Sequence, residues 1–142
     1  MSRGRPEPFN NQKESMAMAQ ANRILVADDE SSVREILRRF LEERGFQVET
    51  AADGEEALAI IRQGQTDLLL LDLKMPKLDG LELLQRIEEE GLEVAVITIS
   101  GAADEETARE SLRRGAADFI TKPFDLMYLE TSLMAKLLLL EG

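Results

Sequence analysis

Five short apolar runs that alternate with helical segments constrain the fold of this chain more than any other feature. The runs occupy residues 24–27, 46–51, 67–71, 93–99 and 117–121, and a segment with helical spacing follows each of them. Strands that alternate with helices form a parallel sheet with helices on both faces. Right-handed crossovers leave few ways to connect such units, and they favour the strand order 2-1-3-4-5. The sequence therefore predicts an α/β, flavodoxin-like (βα)5 doubly wound sandwich.

Capping residues and glycines mark the predicted ends of the helices. Capping boxes are expected at Ser32 with Glu35, Asp53 with Glu56 and Asp79 with Glu82, and helix ends at Gly45, Gly64, Gly91 and Gly115. The first helix should turn Val33, Ile36, Leu37, Phe40 and Leu41 to the core. The segment from Asp104 to Arg114 has a weaker stripe, Ala108 and Leu112, and Asp125 is the expected N-cap of the last helix.

Length and composition limit the class of protein. A chain of 142 residues is large enough for one domain with a core and no disulfides. Residues 1–21 are polar and aperiodic, so we expect a disordered N-terminal extension there and a folded domain over residues 22–142. No apolar run reaches the ~18 residues of a membrane span, and Cys is absent, as is common in a reducing cytoplasm. A net charge of −11 disfavours direct nucleic-acid binding and binding to a membrane surface.

Polar residues follow several of the predicted strands at the same end. Asp28 and Asp29 follow the first strand, Asp72 ends the third, Ser100 ends the fourth and Lys122 ends the fifth. Because ligands bind outside the carboxyl ends of parallel strands, we expect these side chains to converge. Each has a simpler interpretation as a turn former, a helix cap or a surface charge. Their joint occurrence at four strand ends favours a site.

The residue types at this edge predict its chemistry. Two carboxylates ~4 Å apart repel by about 4 kcal/mol at an effective dielectric of 20, so the aspartates need a cation. Oxygen ligands suit Mg²⁺ and also Mn²⁺, and the absence of His and Cys excludes zinc sites built on nitrogen or sulfur. A carboxylate nucleophile with a metal, a hydroxyl and an ammonium fits phosphoryl transfer onto Asp72.

Four segments together resemble the receiver domain of two-component response regulators. They are Ile24-Leu25-Val26-Ala27-Asp28-Asp29-Glu30, Leu71-Asp72-Leu73-Lys74-Met75-Pro76-Lys77-Leu78-Asp79-Gly80, Ile99-Ser100-Gly101-Ala102 and Gly115-Ala116-Ala117-Asp118-Phe119-Ile120-Thr121-Lys122-Pro123-Phe124. The resemblance extends from residue 23 to about residue 140. It implies a signalling domain and no enzyme beyond catalysis of its own phosphorylation and dephosphorylation.

The resemblance also implies a role for individual residues. Asp72 would accept a phosphoryl group from a phosphohistidine on a sensor histidine kinase or a phosphotransfer protein. Asp29 and Asp72 would bind Mg²⁺ directly, Asp28 through water, and the Lys74 carbonyl would be a further ligand. No organic cofactor is expected.

Two further roles follow from the same resemblance. Ser100 and Lys122 would contact the phosphoryl oxygens. Phe119 would be the switch aromatic, whose rotamer follows the movement of Ser100. Phe119 has no hydroxyl, so a phenolic hydrogen bond cannot hold an outward rotamer.

Three other functions are compatible with parts of this sequence. A phosphatase of the haloacid dehalogenase type needs a second Asp two residues after the nucleophile, where this chain has Lys74. An FMN carrier of the flavodoxin type would place phosphate against Asp28 and Asp29, which would repel it. A phosphorylation-independent receiver-like adaptor is the main alternative, and the complete set of acids argues against it. Whether the chain acts alone or within a longer regulator stays open.

The last helix has apolar residues on both sides. Leu126, Leu129, Leu133, Leu137 and Leu140 form the stripe expected to face the sheet. The other side has Met127, Tyr128, Met134, Ala135, Leu138 and Leu139, with Thr131 and Ser132 as its main polar residues. We expect a homodimer or effector contact through this helix and the strand edge near Phe119, with phosphorylation altering the contact.

Overall fold

The computed structural model describes residues 22–101 and 104–141, apart from the side chains of residues 140 and 141. The extension predicted for residues 1–21 lies outside these residues. In the described part, five strands alternate with five helices. The strands are β1 (Arg23–Ala27), β2 (Gln47–Ala51), β3 (Leu68–Asp72), β4 (Ala95–Gly101) and β5 (Asp118–Lys122). The helices are α1 (Ser31–Glu42), α2 (Gly54–Ile61), α3 (Gly80–Glu89), α4 (Glu105–Arg113) and α5 (Leu126–Glu141).

All neighbouring strands are parallel, and their order is β2-β1-β3-β4-β5, as the sequence predicts. The central strand β3 is buried on both faces, since Leu68, Leu69, Leu70 and Leu71 are each 0% exposed. Successive side chains of a strand point to opposite faces, so β3 contributes to both layers of the core. Complete burial of one leucine side chain stabilises the fold by about 1.5–3 kcal/mol.

The sheet separates two apolar clusters. Leu69 and Leu71 pack in the cluster that includes residues of α2, α3 and α4. Leu68 and Leu70 pack in the other cluster, with residues of α1 and α5. The two layers hold the carboxyl ends of β1, β3, β4 and β5 together at one edge of the sheet.

The predicted helix ends agree with the structure in most cases. The glycines after the first four helices have left-handed backbone conformations: Gly45 φ 93°, Gly64 φ 83°, Gly91 φ 65° and Gly115 φ 106°. Asp79 and Glu82 form a complete capping box. Asp53 accepts from the Glu56 N–H, while the Glu56 carboxylate accepts from the N–H of Ala52. Asp125 caps α5 by accepting from the N–H of Met127 at 2.8 Å.

The capping box predicted at Ser32 is wrong. Helix α1 begins at Ser31, so its N-cap is Glu30, two residues before the predicted Ser32, and the Glu30 side chain makes no capping hydrogen bond. Glu35 instead pairs along the helix with Arg38 and Arg39. Local ion pairs therefore satisfy the carboxylate that the sequence assigns to a cap.

Two residues predicted to face the core are exposed. Ile36 is 56% exposed and Leu112 is 40% exposed. Helix α4 instead buries Ser111, whose hydroxyl lies 2.9 Å from that of Thr98 on β4. A serine is buried here because its hydroxyl has a partner, which spacing along the helix does not reveal.

The two-sided character of α5 is confirmed, with one correction. Leu129, Leu133 and Leu137 are buried against the sheet, whereas Met127, Tyr128, Met134, Leu138 and Leu139 are exposed. Ser132 was expected on the exposed side, but it is buried, and its hydroxyl donates to Asp118 at 2.8 Å. Within the described residues, no helix has the length and hydrophobicity needed to cross a membrane.

Candidate functional site

Three aspartates meet where β1 and β3 end. Ala27 of β1 lies beside Leu71 of β3, so Asp28 follows β1 next to the point where Asp72 ends β3. Carboxylate oxygens of Asp28, Asp29 and Asp72 all lie within 4.8 Å of one another. Asp28 is 1% exposed and Asp72 is 6% exposed, while Asp29 is exposed. The convergence predicted from the strand ends is therefore confirmed for these residues.

Local turns fix how the two buried carboxylates point. Oδ1 of Asp28 accepts from the N–H of Glu30 at 2.9 Å, and Oδ1 of Asp72 accepts from the N–H of Lys74 at 3.0 Å. Aspartate commonly accepts from an N–H two residues ahead, which stabilises a turn. The arrangement leaves Oδ2 of both residues for other partners. Oδ2 of Asp28 is buried and has no hydrogen-bond partner among the described residues.

Lys122 brings the positive charge to this cluster. Its Nζ lies 3.5 Å from Oδ2 of Asp28 and 3.5 Å from Oδ2 of Asp72, and 3.7 Å from Oε1 of Glu30. Burial lowers the pKa of Lys122, but Asp28 and Asp72 oppose this effect and leave the pKa raised. The ammonium is therefore held in its charged form between two carboxylates.

One ammonium does not neutralise the cluster. Burial raises the pKa of Asp28, and the charges of Asp72 and Asp29 raise it further, against the lowering effects of the Glu30 N–H and Lys122. A second positive charge would lower the free energy of the ionised acids. Three carboxylates, one of them with a buried oxygen that has no hydrogen-bond partner among the described residues, fit a hard divalent cation such as Mg²⁺. The carbonyl of Lys74 stays a predicted further ligand.

Ser100 occupies the neighbouring strand end. It lies in β4 beside Thr121 of β5, is 3% exposed, and its hydroxyl has no hydrogen-bond partner among the described residues. A cavity of about 280 Å³ adjoins it and is lined also by Phe119 and Ala108. A buried hydroxyl without a partner costs free energy unless a ligand completes it.

Phe119 lies in β5 between two cavities. It lines the cavity beside Ser100, and it also lines a second one of about 450 Å³ together with Tyr128. Its ring is partly buried against the cluster on the α2, α3 and α4 side of the sheet. Phe119, the predicted switch aromatic, therefore lines the same cavity as Ser100 and has a second cavity beside it.

Sequence reasoning missed two features around the site. The side chain of Lys74 pairs with Asp104 at 3.1 Å, which joins the β3–α3 loop to the start of α4. An apolar groove of about 550 Å³ adjoins the site, and Ile36 and Phe124 line it together with Lys122. Ile36, which was predicted to face the core, instead lines this groove and is exposed. Only the apolar residues at Pro123 and Phe124 could have indicated the groove.

Comparison with known proteins agrees with this geometry. The family model described as the response regulator receiver domain matches residues 24–134. The chain therefore belongs to the receiver domain family of two-component response regulators.

Individual relatives support the same assignment. The chain is 40% identical over 103 residues to the transcriptional regulatory protein DltR of Streptococcus agalactiae, which covers 72% of this chain and 46% of DltR. It is 42% identical over 106 residues to the probable C4-dicarboxylate response regulator DctR of Bacillus subtilis, covering 73% and 47%. The chain thus spans about half the length of these curated relatives. The receiver domain of NtrX from Brucella abortus superposes with a TM-score of 0.76 at 40% identity, covering 80% and 97%.

Proposed function

We propose that Asp72 is the phosphoacceptor of this receiver domain. In the proposed step an Asp72 carboxylate oxygen forms a bond to phosphorus while the bond from phosphorus to a histidine nitrogen breaks, and that nitrogen takes up a proton. The donor is a sensor histidine kinase or a phosphotransfer protein. One observation carries the assignment: Asp72 ends the buried central strand with Oδ2 at 3.5 Å from Lys122, next to two further aspartates.

Charge stabilisation is the main task of the surrounding residues. A transferring phosphoryl group carries negative charge on its equatorial oxygens, and catalysis depends mostly on placement and positive charge. Lys122 already lies at the acceptor and would contact those oxygens, with the Ser100 hydroxyl as a second donor. Asp28, Asp29 and Asp72 would hold Mg²⁺, or Mn²⁺, with the carbonyl of Lys74. The metal, when bound, supplies positive charge to the phosphoryl oxygens.

Signalling would start at Ser100. If its hydroxyl moves to a phosphoryl oxygen, the space beside Phe119 changes, because both residues line one cavity. A ring that can occupy either side of β5 would then alter the surface formed by α4, β5 and α5. This surface and the exposed side of α5 are the proposed contact region for a second copy or an effector.

The donor is proposed to dock beside the site. A protein that delivers a phosphohistidine to Asp72 must contact the surfaces that surround Asp72, and the groove at Ile36 and Phe124 is apolar. An exposed apolar patch next to a reactive group favours a protein donor. We expect the domain to act in the cytoplasm, with no direct contact to nucleic acid or to a membrane surface.

Phosphorylation in vitro tests the assignment. Incubation with acetyl phosphate and Mg²⁺ should add one phosphoryl group to the intact protein, measured by mass spectrometry. Asp72→Asn should gain none, and Asp67→Asn, which changes an aspartate at the opposite end of β3, should gain one as the wild type does. A protein that gains no phosphoryl group from any donor would support the phosphorylation-independent adaptor instead.

A further inference from the structure

The side chain of Arg34 extends from helix α1 back to the end of β1. Its Nη1 donates to the main-chain carbonyl of Asp28 at 2.7 Å. The neighbouring Arg38 and Arg39 instead pair with Glu35 along the helix. Arg34 is half-buried and makes no ion pair with any residue that the structure describes. Its contact with the main chain therefore connects α1 to the acidic site.

Arg34 occupies a position where a positive charge is otherwise unfavourable. It lies in the first turn of α1, which begins at Ser31. The N-terminal end of a helix carries a partial positive charge, so a cation there raises the free energy of the helix. The first turn of α1 contains no acidic residue that could offset this effect. A hydrogen bond from a charged donor is roughly twice as strong as a neutral one, and the bond to Asp28 gives the arginine a specific role here.

This hydrogen bond fixes the peptide unit between Asp28 and Asp29. The N–H of Asp28 donates to the carbonyl of Ala51 on β2 at 3.1 Å, and the carbonyl of Asp28 accepts from Arg34. Because a peptide unit is planar, holding that carbonyl also fixes the direction of the Asp29 N–H. The main-chain N–H of Arg34 donates to the carbonyl of Glu30 at 3.1 Å. Arg34 therefore holds both sides of the turn that carries Asp29.

The position of Asp29 depends on this turn more than the positions of the other two acids do. Asp28 and Asp72 are buried, and each accepts from an N–H two residues ahead. Asp29 is exposed, and its carboxylate accepts no hydrogen bond from a described residue. The main chain is therefore what keeps the Asp29 carboxylate within 4.8 Å of the other two.

The charge of Arg34 has a separate and opposite effect on the site. The positive charge that lowers the pKa of Asp28 is that of Lys122, whereas the guanidinium of Arg34 contacts the main chain of Asp28. A guanidinium close to a metal site repels a divalent cation. Through its charge Arg34 would weaken Mg²⁺ binding, and through its hold on the turn it would strengthen Mg²⁺ binding. The sign of its net effect distinguishes the two roles.

We propose that Arg34 is a positioning residue for the cation site, and that its hold on the peptide between Asp28 and Asp29 strengthens Mg²⁺ binding by more than its charge weakens it. This inference deepens the proposed function, because it rests on a Mg²⁺ site at Asp28, Asp29 and Asp72. Arg34 contacts neither the metal nor the phosphoryl group in this arrangement and acts through Asp29.

Mg²⁺ titration of the unmodified protein, followed by NMR, tests the proposal. Arg34→Gln removes the charge and shortens the side chain, and it should raise the dissociation constant for Mg²⁺ at least about tenfold, as is typical when a group that orients a ligand is lost. Arg34→Lys keeps the charge and one donor group, so its dissociation constant should lie between those two values. Arg38→Gln is the matched control, since Arg38 lies one turn further along α1 and pairs with Glu35 and Glu42. It should bind Mg²⁺ as the wild type does.

Melting temperatures with and without Mg²⁺ give a second measurement, in which each variant is compared with itself. Mg²⁺ should raise the melting temperature of the wild type and of Arg38→Gln more than that of Arg34→Gln. Equal or tighter Mg²⁺ binding in Arg34→Gln would overturn the proposal, because charge alone predicts that result. If Arg34→Gln does not fold, Arg34→Lys decides in its place, and wild-type affinity in that variant would overturn the proposal.

The wild-type titration separates this inference from the proposed function. A wild type that does not bind Mg²⁺ would overturn the metal site, and the role of Arg34 with it. A wild type that binds Mg²⁺ together with an Arg34→Gln protein that binds it equally well would overturn only the role of Arg34.

Discussion

Nζ of Lys122 lies 3.5 Å from Oδ2 of Asp72, on a carboxylate whose Oδ1 is already held by the N–H of Lys74 at 3.0 Å. The carboxylate proposed as the phosphoacceptor is therefore oriented by a backbone N–H on one oxygen and by an ammonium on the other. A lysine side chain is long enough to follow a group that forms there, whereas a backbone N–H is fixed by its loop.

Replacement of Lys122 should separate metal binding from signalling. Lys122→Met keeps much of the side-chain volume but removes the ammonium, so Mg²⁺ should still bind while the response to beryllofluoride is lost. The measurement is the NMR shift change at Ser100 and Phe119. Lys74→Met removes an ammonium whose side chain is 73% exposed, and it should retain most of the response. Wild-type shifts in Lys122→Met would refute the coupling role.

Asp28→Asn should stabilise the metal-free domain. The pKa of Asp28 is raised in the fold, first by burial and then by Asp72 and Asp29. An acid with a raised pKa opposes folding above that pKa, and this cost vanishes as the pH falls below its ordinary value of 3.8. At neutral pH we expect a gain of about 1 kcal/mol, or roughly 3–6 °C in melting temperature.

Two comparisons check the same prediction. The advantage of Asp28→Asn over the wild type should shrink as the pH is lowered towards 4. Mg²⁺ should raise the melting temperature of the wild type and have little effect on the variant, because ligands stabilise only the state that binds them. Asp29→Ala should also lose Mg²⁺ binding, with a smaller gain in melting temperature because Asp29 is exposed. An Mg²⁺ titration of Asp29→Ala that matches the wild type would contradict the metal site.

Ile36→Glu should impair transfer from a protein donor only. The charge would enter the apolar groove of about 550 Å³ that adjoins Lys122. We expect phosphotransfer from a histidine-phosphorylated donor to slow by at least about tenfold, equivalent to 1.4 kcal/mol, while phosphorylation by acetyl phosphate is unchanged. Leu112→Glu, on another face, is the control. Equal slowing with both donors would place the defect in Asp72 chemistry and exclude a docking role.

Ser100→Ala and Thr98→Val should have opposite consequences. The buried Ser100 hydroxyl has no described hydrogen-bond partner, so its loss should raise the stability of the unmodified domain and yet abolish the beryllofluoride response of Phe119. The Thr98 hydroxyl lies 2.9 Å from that of Ser111, so Thr98→Val should cost about 1 kcal/mol and leave the response intact. Urea unfolding and NMR distinguish them, and a destabilised Ser100→Ala would mean that its hydroxyl is already bonded.

Lys77→Gly should stabilise the β3–α3 loop. Lys77 has φ 68°, a left-handed conformation that costs a residue with a Cβ about 1 kcal/mol. Its ion pair with Asp53 at 3.5 Å is solvent-exposed on the lysine side, and such pairs contribute little. We expect a higher melting temperature for Lys77→Gly. Lys77→Ala keeps the backbone cost and loses the ion pair, so it should gain nothing.

Strand ends were the most predictable part of this molecule. A continuous apolar run such as Leu68 to Leu71 is typical of a strand that is buried on both faces of a parallel sheet, so the position of Asp72 at the sheet edge follows from the sequence and the parallel topology. The contact of Lys122 with Asp28 and Asp72 follows in the same way. These predictions depend on the strand order, and right-handed crossovers leave few alternative orders.

Helix orientation was less predictable, because a helix can rotate by tens of degrees without changing its own pattern. Ile36 and Leu112 fit the apolar period of their helices, but both side chains are exposed. Ser132 is buried, and its hydroxyl donates a hydrogen bond to Asp118. Such partners lie on other elements, so spacing along one helix cannot identify them. The ion pair of Lys74 with Asp104 was missed for the same reason.

The burial of β3 determines how often the strand that ends in Asp72 can unfold. Its leucines pack into both layers of the core, so the amide protons of this strand should exchange with solvent only when the whole domain unfolds. Elements with few buried apolar contacts, such as α4 with Ala108, should open locally and exchange much sooner. We therefore expect Asp72 to lie at the end of the slowest-exchanging strand among the described residues, and α4 to exchange faster than this strand.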